Sequence, residues 1–310
     1  MKTCLKERKG NKMLKRLGLL FFSFMLLGVL AACGKTETPS TDVPTDSETV
    51  AEVETEATEA LHPDIQAIVD RGVLKVGVKN NVIGFGFQDT LTGVYSGLEI
   101  TLAQMMADIL GVETEFTPVT AATRTELLDS GALDFVIATF TITDERKENW
   151  DFSTPYFTDY VTVLVEDASG ITSLEGLLDA KVGVSSGSTS ARALVEALIE
   201  KGTIDGTNFN KETFDASTWN EGVAFLQFDD YPTISTALSA GEIDAFCVDK
   251  SILAAYNTES RSYIEDTFAP QDYGVATKKG SGISTFVEAN ISAWLADGTV
   301  SSLMTENGLE

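Results

Sequence analysis

"LLDSGALDFVIAT" (residues 127–139) and "ALSAGEIDAFCVD" (residues 237–249) are weak copies of one another. Each reads as a helix end, a glycine stop and a short apolar run closed by a polar residue. Such a run, bounded by turn signals, predicts a strand buried on both faces. The surroundings repeat as well. Before the first copy come a strand, "VLKVGVK" (73–79), a helix, "GLEITLAQMMADILG" (97–111), and a second strand, "VETEFTPV" (112–119). Before the second come "AKVGVSSG" (180–187), "STSARALVEALIEKG" (188–202) and "NEGVAFLQF" (220–228), in the same order. Alternating strands and helices predict an α/β protein with largely parallel sheets. The repetition predicts two similar lobes. "YVTVLVE" (160–166) leads out of the first half, "DYGVATKK" (272–279) returns, and a helical segment closes the chain. Ligands of α/β folds bind at the carboxyl ends of strands and between domains, so the cleft between lobes is the expected site.

The ends of the chain set its location. Seven Lys/Arg residues precede the apolar run "LGLLFFSFMLLGVL" (17–30), which is too short for a stable spanning helix. This is the pattern of a signal peptide over residues 1–32. "LAAC" (30–33) matches the bacterial lipobox, making Cys33 the lipidated N-terminus of the mature chain. Residues 34–61 hold eight acids, one lysine and no aromatic, a composition that reads as a disordered acidic tether, 33–62. The full chain carries a formal charge of −25. Removing the leader's seven cations and its one acid, Glu7, leaves 15 basic against 46 acidic residues, a net charge of −31. Nucleic acid is a poor partner for such a chain. Cys247 is then the one unmodified cysteine, so no intrachain disulfide forms. The single histidine, His62, leaves no His-based metal site or Ser-His-Asp triad, and no cofactor is expected.

Arg146 stands at a predicted helix start, where a cation is unfavourable. Thr139 and Thr141 lie two apart at a strand end and face one side; Thr143 is the expected N-cap. An arginine fork beside hydroxyls suits a carboxylate. A surface arginine paired with Asp144 or Glu145 fits the same residues. "SSGSTSAR" (185–192) opens a helix with glycine and hydroxyls, a second anion candidate or a plain cap. Asp249 ends the second copy, where it suits an ammonium or caps "KSILAAY" (250–256).

"GLEITLAQMMADILG", "SGALDFVIATFTITDERKENWDFSTPYF" (130–157), "DYPTISTALSAGEIDAFCVDKSILAAY" (230–256) and "FAPQDYGVATKK" (268–279) resemble the polar amino-acid-binding proteins of bacterial ABC importers, extracellular solute-binding protein family 3. The resemblance runs from about residue 63 to 305. It implies a type II periplasmic-binding-protein fold with two α/β lobes, residues 63–166 plus 270–310 and residues 167–269. Two crossover strands join them, and they close on one amino acid. By resemblance Arg146 and Thr141 hold the ligand α-carboxylate with Thr189, Thr139 lines the pocket, and Asp249 takes the α-ammonium. "VGVKNN" and "TRTELLDSG" resemble the aspartate- and glutamate-binding branch, in which Lys79 and Arg124 meet the side-chain carboxylate. Tyr231 matches a pocket tyrosine, and Phe85 is a pocket wall or a core residue. Thr101, Asn81 and Ile83 depart from the family pattern and bear on the choice of ligand. The implied protein is a monomeric lipoprotein on the extracytoplasmic face of a Gram-positive membrane, partnered by an ABC permease. Binding of glutamine or another polar amino acid, a cyclic-acid dehydratase on the same fold, and a sensor or adhesin are the rival readings.

Overall fold

The computed structural model describes residues 61–309. Cys33, the basic leader and nearly all of the acidic segment lie outside the described residues. Helix α1 (Pro63–Arg71) starts where Pro63 presets φ, and His62 accepts the Asp64 amide hydrogen bond at 3.3 Å. It ends on Gly72 in the left-handed conformation. Strand β1 (Val73–Val78) leads into three short strands, β2 (Asn81–Val82), β3 (Gly86–Gln88) and β4 (Tyr95–Ser96), which form a small antiparallel sheet. Then follow α2 (Leu98–Leu110), β5 (Glu113–Pro118), α3 (Arg124–Asp129), β6 (Phe135–Ile137), α4 (Asp144–Asn149) and β7 (Trp150–Phe152).

The chain next enters a second set: β8 (Phe157–Glu166), β9 (Ala180–Ser185), α5 (Ser190–Glu200), β10 (Val223–Phe228), α6 (Tyr231–Ala240), β11 (Ala245–Asp249), α7 (Lys250–Leu253), β12 (Arg261–Tyr263) and β13 (Phe268–Tyr273). It returns through β14 (Ala276–Lys278) and finishes in α8 (Gly282–Ala296) and α9 (Thr299–Glu306), which pack on the first set beside α1 and α2.

Two mixed sheets result. The first has the order β5-β1-β6-β14-β7 and the second β10-β9-β11-β8-β12, with β13 also on β8. In each, the first three strands are parallel and the next runs antiparallel. The sheets are therefore less uniformly parallel than simple alternation predicts, because the returning strand β14 and the outgoing strand β8 lie antiparallel beside β6 and β11. Strand β8, read from sequence with the first lobe, hydrogen-bonds wholly in the second sheet.

The internal copies are structurally equivalent in detail. The Asp134 amide donates to the Lys75 carbonyl, and the Lys75 amide donates back to Oδ2 of Asp134. Asp244 and Lys181 make the same reciprocal pair, at 2.8 Å each way. Gly131 and Gly241 both turn with φ near +70°. Gly77 on β1 and Gly183 on β9 occupy matching sites. A Cβ on Gly77 would lie 2.6 Å from Leu133, and one on Gly183 would lie 2.4 Å from Ile243, the matching apolar residue. In each sheet the strand beside the buried one has a glycine so that the apolar residue before the buried strand can cross over it.

The crossovers lie side by side. Ser153 donates its amide to the Val275 carbonyl and receives the Val275 amide on its hydroxyl, both at 3.0 Å. The Tyr156 amide donates to the Tyr273 carbonyl at 3.0 Å. One buried apolar cluster includes residues of both sheets, from Val76 and Phe135 to Phe246 and Val248.

Gly77→Ala is expected to destabilise the protein by about 1–3 kcal/mol through overpacking. Combined with Leu133→Val, which removes the clashing methyl, it should cost less than the sum of the single changes. Urea unfolding of the two single variants and the double variant measures this; strict additivity would show that the crossing does not constrain the strand.

Candidate functional site

The carboxyl ends of β1, β6 and β11 and the starts of α2, α3 and α4 converge on one cleft. Because 127–139 and 237–249 are equivalent, Thr139, two residues past β6, and Asp249, the last residue of β11, occupy equivalent positions, one carrying a hydroxyl and the other a carboxylate. Both are buried, and both hold an unpartnered atom: Oγ1 of Thr139 and Oδ1 of Asp249. Thr139 has a φ of 43°, a strained value for a β-branched residue. Its strain is held by two contacts. The amide donates to Oε1 of Glu99 at 2.6 Å, and the carbonyl accepts from Nη1 of Arg124 at 3.2 Å.

Arg146 lies in the first turn of α4, whose N-cap is Thr143. The Thr143 hydroxyl accepts the Arg146 amide at 3.1 Å, as the sequence spacing predicts. The guanidinium donates from Nη1 to the Thr141 carbonyl at 2.7 Å and from Nη2 to the Gly187 carbonyl of the opposite lobe at 3.2 Å. Three of its five N–H groups remain for a ligand. Thr141 is buried and forms an isolated antiparallel bridge with Tyr273. Arg124 is buried; Nη1 also reaches the Ala138 carbonyl at 3.0 Å, and Nε has no partner. Both guanidinium groups lie over the Phe140 ring, at 3.7 Å for Arg124 and 4.9 Å for Arg146.

Lys79, just past β1, is 2 % exposed, and its ammonium makes no hydrogen bond or ion pair among the described residues. It stands 5.3 Å from the ring of Tyr231, across the cleft. Thr189 precedes α5 without capping it through its side chain; its hydroxyl donates to Oε1 of Gln271 at 2.7 Å. Neighbouring Ser188 keeps a buried, unpartnered hydroxyl. Asp249 sits at the N-cap of α7 but makes no side-chain cap bond, so the capping alternative does not describe its carboxylate. Phe85 is fully buried and packs edge-on against Phe157 at 4.9 Å and Tyr273 at 5.7 Å, a core position. Thr101 returns its hydroxyl to the Gly97 carbonyl at 3.1 Å, which makes that departure local to α2. Asn81 and Ile83 line a cleft cavity of about 590 Å³ with Lys79 and Tyr231. A second cavity, of about 420 Å³, is lined by Arg124, Arg146, Ser188 and Thr189. Both cavities share Ser185.

Several contributors do not stand out in the sequence. Glu99 is fully buried at the start of α2, where an acid reads as ordinary dipole matching. Its Oε1 accepts from the Tyr156 hydroxyl and the Thr139 amide, at 2.6 Å each, and its Oε2 is unpartnered. Tyr273 donates to Oδ2 of Asp249. Asp159 lies near it, at 3.4 Å from the same hydroxyl. Only the tertiary fold brings these groups together.

Burial dominates the electrostatics. It pulls Lys79 down to about 7, assisted by Arg124, and Arg124 down to about 10. Burial and Arg124 draw Arg146 down to about 9. Burial and the charge of Asp159 push Asp249 up to about 7, while Glu99 rises through burial. Cations shifted down and acids shifted up in one cleft mark a place where charge is unsatisfied. Of the six buried side-chain polar atoms without partners among the described residues, five belong to this cleft: those on Glu99, Arg124, Thr139, Ser188 and Asp249. The arrangement can hold a zwitterion, with its carboxylate toward the arginines and its ammonium toward Asp249.

Known proteins resemble this chain in sequence and in fold. The glutamine-binding protein GlnH of an ABC transporter in Bacillus subtilis (strain 168) is 33% identical over 76% of this chain and 80% of its own length. The L-cystine-binding protein TcyJ of Escherichia coli (strain K12) is 30% identical over 77% and 84%. The glutamate-binding protein GluB of Corynebacterium glutamicum is 26% identical over 78% and 80%. Among solved structures, an ancestral arginine-binding protein bound to arginine has a TM-score of 0.63 at 31% identity, over 76% of this chain and 98% of that one. An ancestral amino acid-binding protein, AncCDT-1, a precursor of cyclohexadienyl dehydratase, has a TM-score of 0.64 at 29% identity, over 78% and 98%. Residues 74–306 match the model of one family, and with its two lobes the chain belongs to it: the bacterial extracellular solute-binding proteins, family 3.

Proposed function

We propose that this chain is the amino-acid-capturing lipoprotein of an ABC importer, and that its ligand is glutamate or aspartate. The observation that carries the reading is the buried, unpartnered polar set of the cleft. Arg146 with Thr141 and Thr189 takes the α-carboxylate, Thr139 lines the pocket, and Asp249 takes the α-ammonium. Lys79 and Arg124 meet the side-chain carboxylate beside Tyr231. At the side-chain end Arg124 acts on Lys79 as a like charge, and a ligand carboxylate answers both cations where the amide of glutamine brings no charge. A buried cation left unanswered costs on the order of 2–5 kcal/mol.

Glutamine is the second reading. It is favoured by the low pKa of Lys79, since a neutral amine suits an amide, and by the name of the 33%-identical relative. Catalysis is not part of the proposal. A complete set of groups for both ends of an amino acid favours holding a ligand over turning over a cyclic acid, and turnover of candidate cyclic acids tests the dehydratase reading. The lipobox supports lipid anchoring at Cys33 on the extracytoplasmic face; the partner proposed is a permease, and the protein itself is proposed to be a monomer. Co-purification of a permease distinguishes import from a sensor or adhesin role.

Calorimetric titration of the chain from residue 34, unfolded and refolded to strip bound ligand, tests the ligand. Glutamate or aspartate is expected to bind at least about tenfold more tightly than glutamine, about 1.4 kcal/mol. Lys79→Met and Arg124→Met should each erase most of that preference. Glutamine binding as tightly as glutamate would overturn the acidic reading and leave the general amino-acid site.

The pH dependence has a defined sign. A side-chain carboxylate docking on Lys79 raises its pKa above the free value of about 7. The preference for glutamate over glutamine is then full below pH 7 and falls as pH rises through and above it. Competition titrations from pH 6 to 9 measure this ratio. A flat ratio would remove Lys79 from the side-chain site.

A further inference from the structure

We infer that Tyr273 is the positioning residue for Asp249, holding its carboxylate ionised and aimed beside a second buried acid, Asp159. The inference rests on the reading of Asp249 as the ammonium's partner.

Tyr273 is fully buried at the end of β13, on the returning crossover. Its hydroxyl donates to Oδ2 of Asp249 and stands 3.4 Å from Oδ2 of Asp159. Asp159 lies on β8, the outgoing crossover, and is 7 % exposed; Asp249 is 5 % exposed. Asp159 is already satisfied. Its Oδ1 accepts from the Tyr160 amide at 2.7 Å, and its Oδ2 accepts from the Ser251 amide at 3.1 Å and from the Ser251 hydroxyl. Asp249 has only Tyr273. With Oδ2 fixed by the hydroxyl, Oδ1 is left free, buried and without a partner. Oδ1 is therefore the atom that meets the ammonium.

The charges facing Asp249 come from every element around it. Asp159 on β8 opposes its ionisation, and the Tyr273 hydroxyl on β13 favours it. Arg124 on α3 and Arg146 on α4 favour it, as does Lys79 beyond β1. Tyr231 on α6 and Cys247 on the same strand are protonated neighbours whose ionisation Asp249 suppresses. Burial outweighs these and places Asp249 at about 7. An ammonium binds the ionised form, so affinity is full above pH 7 and falls as pH drops below it. Removing the Tyr273 hydroxyl withdraws a bond to the ionised form and moves that acid limb up. Removing the Asp159 charge moves it down. A merely structural tyrosine would lower affinity equally at all pH values.

The test is calorimetric titration with L-glutamine and L-glutamate from pH 5.5 to 8.5, with thermal melting as a control for folding. Both probes share the α-ammonium, so failure of the acidic-ligand reading leaves this test intact. The glutamine curve omits the side-chain carboxylate that Lys79 meets. Tyr273→Phe is expected to shift the acid limb upward by about one pH unit, a loss of about tenfold at pH 6 that shrinks by pH 8.5. Asp159→Asn is expected to shift it downward and to restore the limb in the double variant. If Asp249→Asn abolishes binding but neither single variant moves the limb, the inference is wrong and the reading of Asp249 stands. If Asp249→Asn leaves both affinities unchanged, the reading of Asp249 fails and the inference falls with it. Should Tyr273→Phe fail to fold, fluorotyrosine at position 273, whose more acidic hydroxyl is a stronger donor, is expected to shift the acid limb downward, and an unmoved limb would overturn the inference.

Discussion

A guanidinium, an ammonium or a carboxylate taken out of water must be met by another charge or by hydrogen bonds. In this protein the constraint applies five times in one place, to Lys79, Glu99, Arg124, Arg146 and Asp249. None of the three cations forms an ion pair with either acid. The arginines lean instead on carbonyls and on the face of Phe140, and the acids lean on tyrosines and backbone amides. Each group keeps a share of its hydrogen-bonding capacity in reserve. Direct pairing would have been cheaper for stability alone. A cleft that spends its charges on one another has little left for a zwitterion.

Duplication makes the arrangement possible. Two equivalent units place equivalent strand ends in one cleft, so a ligand with unlike ends needs the copies to diverge there. They diverge at the last residue of the repeat, Thr139 in one and Asp249 in the other. What surrounds that residue diverges with it: the first lobe supplies the arginines, the lysine and Glu99, and the second supplies Asp249. The parts that maintain the scaffold stay alike. The Lys75–Asp134 and Lys181–Asp244 pairs and the strand glycines 77 and 183 perform the same structural task in both halves.

This division explains what was legible in the sequence. Strands and helices that bury one face repeat their spacing, and both copies were readable because their glycine stops and apolar runs are local. Thr143 could be identified as a cap because capping operates within three residues. Arg146 stood out because it breaks a local charge rule. Glu99, Tyr156, Asp159 and Tyr273 obey local rules: an acid in a first helical turn, aromatics and an acid along crossover strands. Their roles arise from partners 24 to 114 residues away, and no spacing rule reports that. Asp249 shows the converse case. It sits where a cap is expected, yet its side chain turns to Tyr273 because a buried carboxylate gains more from a hydroxyl than from a short four-residue helix.

The crossovers connect these charges to motion. Tyr156 and Tyr273 are joined by a backbone hydrogen bond between the two crossover segments. One hydroxyl holds the acid of the first lobe and the other the acid of the second. The side chains that orient these two carboxylates therefore sit on the two crossover segments themselves, where the chain passes between the lobes. The contacts that close the cleft are weaker. Glu145 and Arg192 meet across it at 3.1 Å, but Glu145 is three-quarters exposed, and such a pair is worth no more than about 1 kcal/mol. The Arg146–Gly187 and Tyr256–Asn81 bonds, at 3.2 and 3.4 Å, each add one donor to one carbonyl. On the proposed reading, a ligand that reaches both the arginines and Asp249 adds contacts between the lobes, and it shifts an equilibrium between open and closed forms only by contacts it makes in one form and not the other.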